Sequence, residues 1–454
     1  MDAEVCYRAA KARDARFDGL FFTAVRTTGI FCRPVCPVRT PLRRNVEIFP
    51  NAAAARAAGY RPCLRCRPEV SPDSPVSAGT STTVNRALRL IHEGALDNGS
   101  TAQLAERLGL TDRHLRRLFL EHVGVPPIVV AETRRLLFAK KLITETNLRF
   151  AEIAFASGYG SLRRFNEAIR ATYQRNPKEL RRFAPPDSTA ESAIELKLNY
   201  RPPYNWNAFL RFVSRRAIAG LETVGDRTYQ RDGIAVRHDA AENCLIARIE
   251  PSNVSRLRPV VEQIRFFFDL RANTREIAAH LRKSPMLKQQ VAKSAGLRLP
   301  GCWDPFELAV RAVLGQQVTV KGASTLAARL VEAFGPPKAE ILADANLTGI
   351  GLTKARAESL RALARAVAGG RLRFDGSAAT SDVIAQLCDL PGLGPWTANY
   401  IAMRALGDPD AFPASDLGLL KAARVSSARQ LEEMAEAWRP WRSYAALYLW
   451  ESLH

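Results

Sequence analysis

The sequence lacks any long uncharged apolar run, and its N-terminus, MDAEVCYRAA, lacks the basic-then-apolar pattern of a secretory signal. The first absence excludes a membrane-spanning helix, and the second predicts a protein of the reducing cytoplasm. Solenoid-type repeats and long low-complexity tracts are also missing, which excludes a repeat architecture. The 454 residues are too many for one hydrophobic core and predict about three domains.

Acidic residues are scarce, with 45 Asp and Glu against 66 Lys and Arg, which gives a formal net charge of +21. Basic residues outnumber acidic ones in residues 1–70, in residues 71–185 and in the remainder. A partner lined with phosphates explains this distribution, because each neutralised phosphate releases counterions. An acidic membrane surface is the rival explanation, but the chain has no polybasic amphipathic anchor. We therefore expect a nucleic-acid partner and no membrane.

Four cysteines lie close together in two pairs, Cys32 and Cys36 in FCRPVC and Cys63 and Cys66 in RPCLRC. Such a C-x3-C…C-x2-C set can supply all four tetrahedral ligands of one zinc ion. Thiolates on zinc stay deprotonated near neutral pH, so a ligand can also act as a nucleophile. The alternative is a zinc that only stabilises a small domain. Arginines beside almost every cysteine favour a site that meets an anion, and we interpret the remaining four cysteines as ordinary thiols: Cys6, Cys244, Cys302 and Cys388.

The segments AVRTTGIFCRPVC and RNVEIFPNAAAARAAGYRPCLRCRP closely resemble the Ada-type domain that repairs methylphosphotriesters in DNA. In that family the first cysteine of the set takes the methyl group. The resemblance therefore implies that Cys32 is the methyl acceptor.

Apolar spacing between two Pro/Ser-rich stretches, residues 70–80 and 184–192, is helical. Gly109 ends one helix and Thr111 caps the next, and the pattern returns with a turn at Gly158 and a cap at Ser161. Each unit alone also fits an αα-hairpin with no nucleic-acid role.

Two such units joined by a long helix over about 127–143 resemble the DNA-binding domain of AraC-type regulators. By this resemblance, the helices that begin near Asp112 and Leu162 enter successive major grooves. The side chains offered to bases or phosphates are then Arg113, His114, Arg116, Arg163 and Arg164.

The segment LPGLGPWTANYIAMRAL, residues 390–406, predicts a tight turn before a helix. Gly392 and Gly394 let the backbone approach a ligand, and Pro395 suits a first helical turn whose free N–H groups can bind a phosphate. With its flanking helices and the downstream Asp416, this region resembles an AlkA-type 3-methyladenine DNA glycosylase of the helix-hairpin-helix class. The resemblance covers nearly all of residues 193–454.

The resemblance assigns roles to single residues. The carboxylate of Asp416 would stabilise the sugar cation that forms as an alkylated base leaves, although a helix-capping Asp is the structural alternative. Gln317 falls where the family places a wedge side chain, and some relatives have leucine there. Aromatic rings that could stack on the flipped, electron-poor base are Trp396, Tyr400 and Trp450, with Tyr204 and Trp206 as weaker candidates.

Three missing features narrow the expected chemistry. Trp396 occupies the position where strand-cutting relatives have a Schiff-base lysine, so we expect a monofunctional hydrolase. The four spaced cysteines of an iron–sulfur cluster are missing from the C-terminal region, so no such cluster is expected. The chain also lacks a PCHRV-like motif, and hence a second methyl acceptor.

The sequence thus predicts a mainly α multidomain protein with α+β parts. The expected domains are a zinc-binding methyl acceptor (1–72), a tandem helix-turn-helix (80–185), an α+β subdomain (192–300) and a helix-hairpin-helix glycosylase domain (301–454). Expected partners are double-stranded DNA, both alkylated and promoter, with RNA polymerase as a further candidate, in a nucleoid-associated cytoplasmic location. One alternative is a transcription factor whose glycosylase region is only a DNA clamp. Another is an AraC-type metabolite sensor with a structural zinc, for which residues 1–70 are too short to contain a ligand domain.

Overall fold

The computed structural model describes residues 1–72, 82–182 and 193–453. Two compact units form. The first contains Met1–Pro202, Gly233–Glu262 and Leu270–Ala272, and the second contains Pro203–Asp232, Gln263–Asp269 and Asn273–His454. The predicted linker at 184–192, and all but the start of the one at 70–80, lie outside the described residues. The predicted domain boundaries stay predictions.

The first part of the chain is a small sheet flanked by two helices. Its elements are α1 (Ala3–Lys11), β1 (Phe22–Val25), β2 (Ile30–Cys32), β3 (Val46–Phe49), α2 (Ala52–Ala57) and β4 (Arg61–Pro62). The strand order is β3-β1-β2-β4, with β4 parallel to β2 and the other pairs antiparallel. Because β2 and β4 run side by side in the same direction, the cysteines at their C-terminal ends meet at one edge.

Seven helices follow: α3 (Thr82–Glu93), α4 (Thr101–Arg107), α5 (Asp112–His122), α6 (Pro127–Glu145), α7 (Phe150–Ala156), α8 (Leu162–Tyr173) and α9 (Pro177–Arg181). Thr111 caps α5 by accepting from His114 N at 3.3 Å, and Ser161 caps α8 by accepting from Arg164 N at 3.2 Å. Gly109, with φ +73°, supplies the turn between α4 and α5. The predicted pair of helix-turn-helix units on a long central helix is present.

The rest of the chain adds five strands and thirteen helices among the described residues. These are β5 (Ile194–Asn199), α10 (Trp206–Ser214), β6 (Glu222–Val224), β7 (Thr228–Arg231), β8 (Ile234–Asp239), β9 (Cys244–Ile249), α11 (Leu257–Phe267), α12 (Thr274–Leu281), α13 (Pro285–Lys293), α14 (Pro305–Leu314), α15 (Val320–Phe334), α16 (Ala339–Leu342), α17 (Lys354–Ala368), α18 (Thr380–Cys388), α19 (Pro395–Ile401), α20 (Leu417–Ala423), α21 (Ala428–Ala435) and α22 (Arg442–Glu451). The predicted combination of helical and α+β parts is confirmed.

In the first unit, β9 pairs antiparallel with both β5 and β8. In the second unit, β6 and β7 form an antiparallel hairpin, and α14 lies at the centre of the helical core. Leu314, Leu330 and Leu360 are fully buried there. Over residues 1–72, 82–182 and 193–453, no helix combines the length and apolar character needed to cross a bilayer.

Candidate functional site

The four predicted zinc ligands come together at one edge of the small sheet. Cys32 ends β2, and Cys63 directly follows β4, where its N–H donates to the Phe31 carbonyl at 3.0 Å. Their Sγ atoms and those of Cys36 and Cys66 all lie within 4.8 Å of one another. Cys63 and Cys66 are buried, whereas Cys32 and Cys36 are partly exposed. The cluster therefore presents one partly open side that includes Cys32.

The dimensions and charge chemistry of this cluster fit zinc. Zn–S bonds of about 2.3 Å place tetrahedral sulfur ligands about 3.8 Å apart, within the 4.8 Å spread of these atoms. Hydrogen bonds between the thiols, first of all from Cys32, lower the pKa of Cys36 to about 7 and that of Cys63 further still. The same bonds raise the pKa of Cys32. The thiols therefore share protons, which a thiophilic cation would displace.

Two of the arginines next to these cysteines are bound internally. The guanidinium of Arg33 pairs with the buried Asp18 carboxylate, with Nε to Oδ1 at 2.9 Å. Arg67 pairs with Glu145 of α6. Exposed arginines in the segment that carries the cysteines include Arg39, Arg44 and Arg65. Arg65, which directly precedes Cys66, is thus an exposed neighbour of a cluster cysteine, whereas Arg33 and Arg67 are already paired.

The candidate DNA-reading side chains lie on the exposed faces of α5 and α8. Arg113, Arg116 and Arg164 are exposed, and the Arg163 side chain is 87% exposed. Arg163 pairs with Glu167 on its own helix, Nε to Oε1 at 2.9 Å. Exposed pairs of this kind contribute little to stability, so a phosphate can replace the glutamate at small cost.

A cavity of about 1090 Å³ lies within the second unit. Its lining includes most of the glycosylase residues predicted from the sequence: Gln317, Gly392, Trp396, Tyr400, Asp416 and Trp450. Gly394 is exposed beside it as the N-cap of α19. The volume is large enough for a nucleobase and its sugar.

Asp416 is held in place by three hydrogen bonds. Its Oδ2 accepts from Trp396 Nε1 at 2.9 Å, and its Oδ1 accepts from Trp450 Nε1 at 2.9 Å and from Leu419 N at 3.0 Å. The last bond makes Asp416 the N-cap of α20, so the capping alternative also describes it. A Cβ at Gly418 would lie 3.0 Å from Oδ1, so glycine leaves this carboxylate its space. Two indoles thus orient a charged group at the cavity wall.

Tyr400 extends this aromatic wall. Its ring stacks on Trp396 with centroids 5.5 Å apart and planes 9° apart. The Tyr400 hydroxyl accepts from Arg404 at 2.7 Å, and Arg404 is fixed by the Gly301 carbonyl at 3.0 Å. Burial would raise the pKa of Tyr400, but the guanidiniums of Arg404 and Arg216 outweigh it and lower the pKa. These contacts fix the Tyr400 ring in the cavity wall, where its aromatic face is available for stacking on a base.

The predicted wedge residue lies in a strained loop between α14 and α15. Gln317 is exposed and has φ +53°, a left-handed conformation that is uncommon outside glycine. Its neighbour Gln316, which the sequence did not single out, donates to the Gly392 carbonyl and to Thr397 Oγ1, both at 2.9 Å. Arg356 donates to the Gln316 carbonyl at 2.6 Å. These long-range contacts tie the wedge loop to the hairpin turn.

Tyr204 and Trp206 do not line the cavity. Trp206 is 6% exposed and stacks on Phe209 and Phe268, with centroids 6.0 and 5.6 Å apart. The Tyr204 hydroxyl donates to the Phe268 carbonyl at 3.0 Å. Tyr204 and Trp206 therefore belong to the core near α10, where Trp206 packs on Phe209 and Phe268. The sequence spacing did not reveal this packing, because Phe268 comes from a distant segment.

A group of buried charges in the cavity wall was also not predicted from the sequence. Arg231 forms a two-point pair with Glu307, at 2.9 and 2.6 Å, and Arg311 bridges Glu307 and Glu222. All four residues line the cavity. Only Glu307 and Arg311 had a sequence signal, an i,i+4 spacing on one helix. The pairing neutralises charge in the wall and keeps its shape fixed.

Four stretches of the chain match known protein families. Residues 5–69 match the metal binding domain of Ada, residues 104–182 a helix-turn-helix domain, residues 195–304 the AlkA N-terminal domain, and residues 310–443 the HhH-GPD superfamily of base excision DNA repair proteins. A Mycobacterium tuberculosis H37Rv protein described as "Probable bifunctional transcriptional activator/DNA repair enzyme AlkA" is 41% identical over 100% of this chain and 97% of its own length. The chain belongs to the Ada/AlkA family.

Two further relatives match separate parts of this Ada/AlkA family chain. Escherichia coli K12 DNA-3-methyladenine glycosylase 2 is 34% identical over 56% of this chain and 95% of its own length. The E. coli K12 "Bifunctional transcriptional activator/DNA repair enzyme Ada" is 40% identical over 27% of this chain and 33% of its own. The family prediction made from the sequence is confirmed for both the regulator half, residues 5–182, and the glycosylase half, residues 195–443.

Proposed function

We propose that this protein excises alkylated purines of the 3-methyladenine type from DNA by hydrolysis. The observation that carries this function is the Asp416 carboxylate, fixed by two indole N–H groups in the wall of a base-sized cavity. A flipped base stacks against Trp396 and Tyr400, and the carboxylate stabilises the oxocarbenium-like sugar and orients water. Trp396 has no amine, so the products are a free base and an unbroken strand with an abasic site.

The hairpin turn and the wedge loop hold the DNA in this mechanism. Backbone amides around Gly392 and Gly394 contact a phosphate next to the lesion, and Gln317 fills the space that the flipped base leaves. The hydrogen bonds of Gln316 to Gly392 and Thr397 support this arrangement, because they keep the two loops at a fixed separation.

We further propose that Cys32 removes the methyl group of a DNA methylphosphotriester. Its sulfur attacks the methyl carbon, an S–C bond forms, the C–O bond to the phosphate breaks, and the phosphodiester anion leaves. Cys32, Cys36, Cys63 and Cys66 would hold one zinc, which keeps all four thiols ionised. The open side of the cluster at Cys32 and the exposed Arg39, Arg44 and Arg65 support this assignment.

The helix-turn-helix units give this chemistry a regulatory result. Four thiolates on zinc carry a formal charge of −2, and one methylation reduces it to −1, so repulsion of the phosphate backbone falls. The methylated protein then binds a promoter through α5 and α8 in successive major grooves. RNA polymerase is the proposed partner there, and the proposed location is the cytoplasm, at the nucleoid.

One experiment tests both activities. Incubation of the full chain with alkylated duplex DNA should release free bases and add one methyl group to the peptide that contains Cys32, as scored by chromatography and mass spectrometry. A protein that binds lesion DNA without releasing bases would support the clamp alternative. Borohydride trapping of a protein–DNA adduct would contradict the hydrolytic mechanism.

A further inference from the structure

A buried arginine of the glycosylase half, itself part of the first unit, contacts the segment that carries the cysteine cluster. Arg201 follows β5, in the segment that matches the AlkA N-terminal domain, and is 1% exposed. Its Nη1 donates to the Asp18 carbonyl at 3.1 Å, and its Nη2 donates to the Arg271 carbonyl. Asp18 belongs to the segment that matches the metal binding domain of Ada.

Close packing fixes the loop that Arg201 contacts. Gly19 has φ +74°, and a Cβ there would lie 1.9 Å from the Pro72 carbonyl oxygen and 3.1 Å from Arg201 Nη1. No other residue type fits this position without a shift of backbone atoms. Arg201 therefore contacts a loop that has little freedom to move away.

The side chain of the same aspartate orients an arginine between zinc ligands. Asp18 accepts from Arg33 Nε at 2.9 Å and from Ser71 Oγ at 3.1 Å, and it also pairs with Arg33 Nη2. Arg33 in turn donates from Nη1 to the Cys66 carbonyl at 3.0 Å and from its backbone N to Cys66 Sγ at 3.3 Å. Arg33 directly follows Cys32. Asp18 and Arg33 thus connect Arg201 to the cluster.

We infer that Arg201 is a positioning residue for methyl transfer. It holds Asp18 and, through Asp18, the segment around Arg33 that connects Cys32 to Cys66. This inference rests on the proposed methyl transfer at Cys32. Its consequence is that the methyl-acceptor site of this chain is completed by a residue from its glycosylase half.

The test compares full-length variants of two buried arginines. Arg258 is the matched control, because it also lies in the AlkA-like segment and also pairs with a residue of the regulator half, Asp97. Within the described part of the chain, Asp97 bonds to Arg258 and Arg135 and makes no hydrogen bond to the cysteine cluster, so Arg258→Met loosens the first unit without touching Asp18. The variants are Arg201→Met, Arg201→Lys and Arg258→Met, each loaded with zinc or with cobalt.

Arg201→Met should slow methyl transfer to Cys32 by about tenfold or more and shift the visible absorption of the cobalt–thiolate centre. Arg201→Lys, which can still donate to the Asp18 carbonyl, should recover part of the rate. Arg258→Met should keep the rate within about twofold and leave the cobalt spectrum unchanged. Base excision should stay near wild type in all three.

An unchanged rate and cobalt spectrum in Arg201→Met would overturn the inference, as would equal losses in Arg201→Met and Arg258→Met. If Arg201→Met does not fold, Ser71→Ala, which removes one hydrogen bond from Asp18, must show the same spectral shift for the inference to stand. Absence of methyl transfer in the wild type would overturn the proposed function instead, and the cobalt spectra would still decide the role of Arg201.

Discussion

Replacing Asp416 with asparagine removes one negative charge and keeps the size of the side chain. Asparagine is as good an N-cap as aspartate, so α20 should persist. In the wild type, both carboxylate oxygens accept from an indole N–H, one from Trp396 and one from Trp450. The asparagine amide has only one oxygen, so its NH₂ group must face one of the two indole N–H groups. Loss of one hydrogen bond to a charged group costs about 1.5–3 kcal/mol. We expect a folded protein whose stability falls by no more than this.

The catalytic loss should be larger than the loss of stability. Opposite unit charges about 4 Å apart attract by about 4 kcal/mol at an effective dielectric of about 20. That energy corresponds to a fall in rate of about a thousandfold. The sugar is cationic mainly in the transition state, so affinity for lesion DNA should stay within a few-fold of wild type.

Single-turnover release of 3-methyladenine from a defined duplex measures the rate, and a binding assay on the same duplex measures affinity. Asp408→Asn is the control, because Asp408 Oδ1 accepts backbone N–H groups at 2.8 and 3.1 Å but lies outside the cavity lining. Asp408→Asn should excise within about twofold of wild type. Undiminished excision by Asp416→Asn would refute the role of the carboxylate.

Three further predictions concern other parts of the chain. The full-length protein should bind one zinc, and Cys32→Ala should accept no methyl group, which metal analysis and mass spectrometry check; a methyl on another residue would contradict the assignment. Changing Arg163 and Arg164 to Ala should weaken promoter binding, spare zinc content and reduce the slope of log affinity against log salt by about 2; an unchanged slope in a salt titration would argue against phosphate contacts there. Burial would raise the pKa of Glu307, but the charges of Arg231 and Arg311 outweigh burial and lower the folded-state pKa. The ion pair therefore stabilises the fold above the unfolded-state pKa of about 4.3, and this stabilisation is lost as pH falls through the folded-state pKa. Glu307→Gln should therefore cost about 3 kcal/mol of unfolding free energy at pH 7, and its deficit against wild type should shrink in unfolding experiments below about pH 4; a deficit independent of pH would exclude the ion pair as its cause.

Much of the fold could be predicted because its signals are local. Thr111 and Ser161 cap α5 and α8 through backbone groups three residues away, so the sequence alone placed the helix starts. The two cysteine pairs could also be recognised from the sequence, because two ligands three or four residues apart need only one turn of the backbone to reach the same metal ion. Family resemblance then supplied the expected role of Asp416.

The sequence by itself determined the family, the helix-turn-helix units, the cysteine set and the position of the hairpin before α19. Only the tertiary structure decided which aromatic side chains share a site: Trp396 and Trp450 converge on Asp416, whereas Trp206 packs into a core with Phe209 and Phe268. It also decided that the guanidinium of Arg33 is buried and already paired with Asp18. The reason is physical. A cap or a turn depends on atoms a few residues apart, but the direction of an indole or a guanidinium depends on partners from distant segments that only folding brings into contact.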